Sequence, residues 1–394
     1  MKTPQKKDSL ELHEKLKGKL QVKAKPGAKL SGKNLPLLYT PGVSFPCTEI
    51  AKRREKVFSL TGKQNSIAVI TDGTAVLGLG KIGAEASLPV MEGKALLFSE
   101  LAGINAFPLV LDTRSPQETV QAIKAIAPSF GGINLEDIAS PYCFYIEEKL
   151  QGLGIPVVHD DQHATAIVAL AGLINAFNLA DKEFRDAKIV LSGCGAAGTA
   201  IAKLLHSSKK FTPRQMLVFD KFGSVRKGKK MPEHMREVAA LTGSKFHGSM
   251  KEALHGADAF IGVSAPNLLS AANIKKMVEK PVVFAMANPV PEISFESAKR
   301  GGAFIVGTGR SDYPNQINNV LVFPGMFRGL LDAHAKRLSE VAKLATAKAL
   351  ASSLQPSPEK ILPGALDSGY VKKIARSVKK ASRRTGKFSK RCFF

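Results

Sequence analysis

A strand that runs straight into Gly193-Cys194-Gly195-Ala196-Ala197-Gly198 constrains this chain more than any other segment. Lys188-Ile189-Val190-Leu191-Ser192 reads as the strand, and the residues after Gly198 open a helix. Glycines at this spacing let the backbone turn tightly and approach a pyrophosphate, which the helix N-terminus then holds. Asp220, 22 residues past Gly198, ends the next apolar run, where a carboxylate accepts from the adenosine ribose hydroxyls. Gly193, Gly195, Ala196, Ala197, Gly198 and Asp220 are therefore candidate cofactor-binding residues. Asp220 favours NAD, because a carboxylate repels the 2′-phosphate of NADP. Lys221, Arg226 and Lys227 follow closely enough to keep NADP open.

Strand and helix patterns alternate on both sides of this loop. Upstream, Ser66–Ile70, Leu96–Phe98, Phe107–Leu111 and Ile155–Val158 have the length and apolarity of buried strands, and Pro116–Ile126 has helical periodicity. A helix apolar on every side is predicted from Ala164 to Phe177. Downstream, Met216–Phe219, Ala259–Val263, Val282–Ala285 and Ala303–Val306 keep the rhythm of a doubly wound parallel sheet. After Phe327 the pattern turns helical, with Leu331, Ala335, Leu338, Ala342, Ala345 and Ala349 on one stripe. Val371, Ile374, Ala375 and Val378 form a second stripe among Lys and Arg; such a helix can bind membranes, but docking on its own protein is commoner. The expected organisation is an α/β domain over 1–158, a Rossmann-type domain over 159–330, and C-terminal helices with a basic tail over 331–394.

Two acidic segments carry the remaining chemistry. Asn134-Leu135-Glu136-Asp137 and His159-Asp160-Asp161-Gln162-His163 place four carboxylates at two turns of a chain whose net charge is +24. Clustered carboxylates repel, so a cation between them is expected, and oxygen ligands suit Mg²⁺ or Mn²⁺. Glu136 and Asp137 read equally well as ordinary first-turn helix acids, and spacing alone does not choose. His159 and His163 fit core or capping roles better than ligation of a hard ion. Lys94 has apolar neighbours and a glycine beside it; a semi-buried lysine near a metal can serve as a general base, although most lysines are solvated. Gly78-Leu79-Gly80-Lys81-Ile82-Gly83 repeats the glycine pattern without a suitably placed acid, and reads as a structural turn.

Composition sets limits on the alternatives. The charge sits largely at the ends: residues 1–33 carry +7 and residues 371–394 carry +10. A nucleic-acid-binding domain usually concentrates charge on a folded face with reading side chains, so neither nucleic acid nor membrane is expected as a partner. No apolar run reaches the roughly 18–20 residues that span a bilayer. Residues 1–20 lack a signal-peptide core, and Cys47, Cys143, Cys194 and Cys392 show no ligand-like spacing. A cytoplasmic location follows as an expectation.

In order along the chain, Tyr39-Thr40-Pro41-Gly42, Val90-Met91-Glu92-Gly93-Lys94, Asn134–Asp137, His159–His163, Gly193–Gly198, Ala287-Asn288-Pro289-Val290-Pro291-Glu292 and Gly309–Gln316 with Asn318-Asn319-Val320 resemble the malic enzyme family in its short bacterial form. The resemblance implies a metal-dependent oxidative decarboxylation of malate to pyruvate and CO₂ with reduction of NAD or NADP, in a homodimer or higher homo-oligomer. It makes Lys94 the general base for the C2 hydroxyl and Tyr39 the acid that protonates C3. Glu136, Asp137 and Asp161 become the ligands of Mg²⁺ or Mn²⁺, which polarises the keto acid as CO₂ leaves. Asn288 and one of Asn318 and Asn319 would bond substrate and nicotinamide ribose, and Asp160 is left as a supporting or capping acid. Two departures are visible: Ala164 stands where the family usually has Gly, and Cys194 where it usually has Ala. The arginine that larger members use for the malate carboxylate falls at Ala75. Malolactic decarboxylation to lactate, and an anionic-polymer binder on an inactive scaffold, are the alternative readings.

Overall fold

The computed structural model describes residues 6–389 apart from 26, 77 and 229. Two sheets organise the chain. The first contains β1 (Ser66–Thr71), β2 (Asn105–Val110), β3 (Gly132–Leu135) and β4 (Val157–His159), all parallel, in the order β2-β1-β3-β4. The second contains β5 (Lys188–Ser192), β6 (Gln215–Asp220), β7 (Gly223–Val225), β8 (Ala259–Gly262), β9 (Val282–Ala285) and β10 (Ile305–Thr308). Its order is β10-β9-β8-β5-β6-β7, parallel throughout except where β7 turns back on β6. Each sheet reverses direction once, between β1 and β3 and between β5 and β8, and crevices outside the C-terminal ends of strands at such points are where α/β proteins bind ligands.

Helix Asp160–Ala180 leaves β4 and joins the two halves. It is the one helix among the described residues long and apolar enough to cross a bilayer, but 72% of that window is buried. The apolar surface is satisfied by protein: a Cβ at Gly172 would lie 3.1 Å from Phe284 and Ile317, and the Asn175 amide donates to the carbonyls of Ala351 and Ile361 at 2.8 Å. One continuous core therefore runs from Ile67 and Phe98 through this helix to Ile189 and Phe327.

Several sequence expectations need correction. Leu96–Phe98 is no strand: it lies inside helix Ala84–Ala102, whose Met91, Ala95 and Phe98 repeat at helical spacing and are buried. Asp160 and Asp161 lie in the first turn of their helix, which begins before Ala164. Glu136 and Asp137 are not first-turn acids, because they follow β3 and Asp137 takes φ +53°. The C-terminal stripe is split between helices Phe323–Asp332 and Glu340–Ala351. Ser339 starts the second by accepting from the Ala342 N–H, and His334 turns the chain at φ +46°. The basic helix Tyr370–Ser389 docks on its own protein: Ile374 and Val378 are buried against Gly325 and Gly329, whose missing side chains make room for them.

Candidate active site

The first crevice collects side chains from four segments. Glu136-Asp137 follows β3, Asp160-Asp161 opens the helix that follows β4, and helix Ala84–Ala102, which follows β1, supplies Lys94. Lys94 is 5% exposed and donates to Glu136 at 2.8 Å and to Asp160. The Phe323 ring lies 4.0 Å below its ammonium. Asn134 donates to the second Glu136 oxygen at 2.9 Å, and the Asp137 N–H donates to Asp161 at 3.0 Å. Oxygens of Glu136, Asp137 and Asp161 lie within 4.8 Å of one another.

Electrostatics decide between the two readings of these acids. Four carboxylates face one ammonium, and His159 is no second cation, since burial brings it down to about 4. Burial raises Glu136 and Asp161 above the ordinary carboxylate range and pushes Asp160 up to about 8. Burial works to lower Lys94, but the charges of Asp160 and Glu136 outweigh it and hold the ammonium above its usual value. The second Asp160 oxygen is buried without a hydrogen-bond partner. Such surplus negative charge fits a divalent cation with oxygen ligands, and Glu136, Asp137 and Asp161 are placed to hold one.

The second crevice is built from backbone. Gly193 sits at φ +104° and a Cβ there would lie 2.6 Å from the Val263 carbonyl; at Gly198 it would lie 1.9 Å from the Gly193 carbonyl. Gly195 meets nothing within 4 Å, so the cradle is open where a phosphate approaches helix Ala196–His206. Asp220 ends β6 and accepts the Cys194 N–H at 3.1 Å, tying the loop to the end of the neighbouring strand. Cys194 itself is buried. Glu292 joins the ends of β8 and β9 by accepting from the Ser264 and Ala287 N–H groups at 2.8 and 3.1 Å.

The two halves meet at Asn288. A Cβ on Gly309 would lie 2.6 Å from its amide nitrogen, and one on Gly78 would lie 2.4 Å from its carbonyl. The repeated glycine motif is therefore a turn that packs against the facing domain. Asn318 donates to the Gly309 carbonyl at 3.3 Å and accepts the Val320 N–H at 3.0 Å, while Asn319 opens the short 3₁₀ turn Asn319–Leu321. Tyr39 is not brought to Lys94: it is 67% exposed on an N-terminal arm whose helices bury no residue. The Asp160–Lys94 pair, the Asn134 bond and the Phe323 ring were missed from sequence; the adjacent acids Asp160-Asp161 were the available signal for the first. A cleft of 990 Å³ is lined by Glu147, Gln162, His163, Lys203 and His234, and contains none of Lys94, Glu136, Asp137 or Asp161.

A metal-fitting carboxylate centre and a dinucleotide-type glycine loop in one chain are the features of a nicotinamide-dependent oxidoreductase. The family models for the malic enzyme N-terminal domain and the malic enzyme NAD binding domain match residues 19–119 and 163–382. The chain belongs to the malic enzyme family. It is 49% identical to the NAD-dependent malic enzyme of Geobacillus stearothermophilus, over 94% of this chain and 77% of that protein. It is 47% identical to the bifunctional malic/malolactic enzyme of Bacillus subtilis, over 96% and 93%. The crystal structure of the NAD-dependent malic enzyme from Thermotoga maritima superposes with a TM-score of 0.89 at 43% identity, covering 95% and 99%.

Proposed function

We propose that this chain catalyses oxidative decarboxylation of malate to pyruvate and CO₂, with NAD as the preferred acceptor and NADP as the alternative. The observation that carries this reading is the buried Lys94–Asp160 pair beside three convergent carboxylates. Glu136, Asp137 and Asp161 would hold a divalent ion that would supply Lewis acidity to the keto acid, and the Gly193–Gly198 loop would hold the nicotinamide cofactor that would supply the hydride acceptor. Lys94 Nζ takes the proton of the C2 hydroxyl. Asp160 holds that nitrogen in place. Phe323 keeps water from the ammonium. Asn288 and Asn318 or Asn319 line the nicotinamide side of the cleft.

Tyr39 is the proposed acid at C3. Leu37, Tyr39 and Phe45 are exposed together on the N-terminal arm, and short helices without a buried face are unstable alone. A homodimer that covers this arm supports both its order and the delivery of Tyr39 to a cleft. A cytoplasmic location accords with such chemistry.

The Bacillus relative's malolactic name supports a second reading, in which malate gives lactate and CO₂ without net cofactor reduction. Product analysis separates them. With malate, Mn²⁺ and NAD⁺, pyruvate and NADH should appear in equal amounts, whereas lactate without NADH would replace the first reading by the second.

A further inference from the structure

The turn that carries Asp160 and Asp161 has little support from its own sheet. β4 has three residues and lies at the sheet edge, paired among the described residues only with β3, and His159 caps the following helix without a side-chain hydrogen bond. A reacting carboxylate must be held to within about half an ångström of its working position. Support comes instead from helix Tyr142–Leu150, which places Glu147 behind the turn. The Glu147 carboxylate accepts the His159 backbone N–H at 2.9 Å, the Gln162 amide at 3.1 Å, and the His163 ring at 2.9 and 3.0 Å. These three donors bracket Asp160 and Asp161 on both sides.

We infer that Glu147 is a positioning residue of the reaction centre, gripping residues 159, 162 and 163 so that Asp160 meets Lys94 and Asp161 meets the metal. Glu147 touches neither Lys94 nor a proposed ligand, so it acts through the turn. Its carboxylate is the shared acceptor, and a single substitution releases all three bonds at once. The inference rests on the metal reading proposed above.

The test uses the full chain with Glu147→Ala, Glu147→Gln and Asp161→Asn. Mn²⁺ binding is titrated directly by electron paramagnetic resonance, NADH binding by fluorescence, and malate turnover at saturating Mn²⁺. Residues that orient metal ligands typically contribute about 10-fold to 100-fold in affinity or activity, so Glu147→Ala should weaken Mn²⁺ binding by about that factor while NADH affinity stays unchanged. Glu147→Gln retains an acceptor for the His159 N–H and should recover part of the loss. If Glu147→Ala does not fold, Glu147→Gln decides alone, since wild-type Mn²⁺ affinity in it overturns the inference. Wild-type affinity and turnover in a folded Glu147→Ala, or a Glu147→Gln no better than Glu147→Ala, also overturn it. Asp161→Asn should abolish Mn²⁺ binding; if it binds normally, the metal reading itself fails and this inference falls with it.

Discussion

The dinucleotide loop and the carboxylate centre stand at equivalent places, each at the C-terminal ends of parallel strands beside a reversal of strand order. They are built by opposite means. The loop works through main chain: Gly193 and Gly198 pack so closely that a methyl group would strike a carbonyl, and Gly195 leaves space for the ligand. The carboxylate centre works through side chains, with Lys94 drawn to Glu136 and Asp160 across 42 and 66 residues of sequence. Backbone recognition is contiguous and tolerates little steric change. Side-chain chemistry is scattered, and depends on the elements that hold each group.

The largest expected effect separates the two regions by function. General acid–base groups contribute about 10²- to 10⁴-fold, so Lys94→Ala should lower kcat by that order while NADH titrations by fluorescence stay unchanged. A wild-type rate in that variant would remove Lys94 from the mechanism.

A pH series probes the support of the scattered site. Burial works to raise Glu147, but the His163 ring and the His159 N–H outweigh it and bring the carboxyl from 4.5 to about 2. A depressed carboxyl stabilises the fold fully above its unfolded value, and that stabilisation is lost as pH falls from 4.5 towards 2. At about 1.4 kcal/mol per pKa unit the total is about 3 kcal/mol. Urea unfolding of wild type and Glu147→Gln should therefore differ by a gap that narrows by about 3 kcal/mol across this window. A gap independent of pH would mean that the carboxylate is not held as described.

The loop predicts a contrast between neighbouring glycines. Gly198→Ala meets the Gly193 carbonyl and should cost about 1–3 kcal/mol of stability, as overpacking does. Gly195→Ala enters open space and should leave the thermal midpoint unchanged while raising the cofactor KM. Equal melting shifts in both would contradict the division between packing and ligand space. The smallest effect concerns thiols: Cys47 is exposed, whereas burial pushes Cys143 and Cys194 up to about 12. A thiol reagent at pH 8 should modify Cys47 in the folded protein and leave the other two unreacted, as mass spectrometry of the digested product would show.

These differences also explain what the sequence disclosed. Gly193–Gly198 and Asp220 were legible because turn, helix start and acid recur at fixed short spacings. β5 and β9 have the bounds expected of Lys188–Ser192 and Val282–Ala285, since buried parallel strands read as short apolar runs. Lys94 was legible through its motif, but its pairing with Asp160 was not, because strand order and not spacing brings residues 94 and 160 together. Leu96–Phe98 misled because Pro89 and Gly93 interrupt the helical pattern, although Met91, Ala95 and Phe98 kept its period. Tyr39 carried a motif without an environment, and within one chain it lies exposed.

One reaction served by both crevices requires malate, a divalent ion and the dinucleotide together. The direct measurement is NADH formation from malate and NAD⁺ during a Mn²⁺ titration of chelator-treated protein, in wild type and Asp161→Asn. Saturable Mn²⁺-dependent NADH formation in the wild type, lost in Asp161→Asn, is the predicted result. NADH formation that persists without a divalent ion, or that is unaltered in Asp161→Asn, would contradict it.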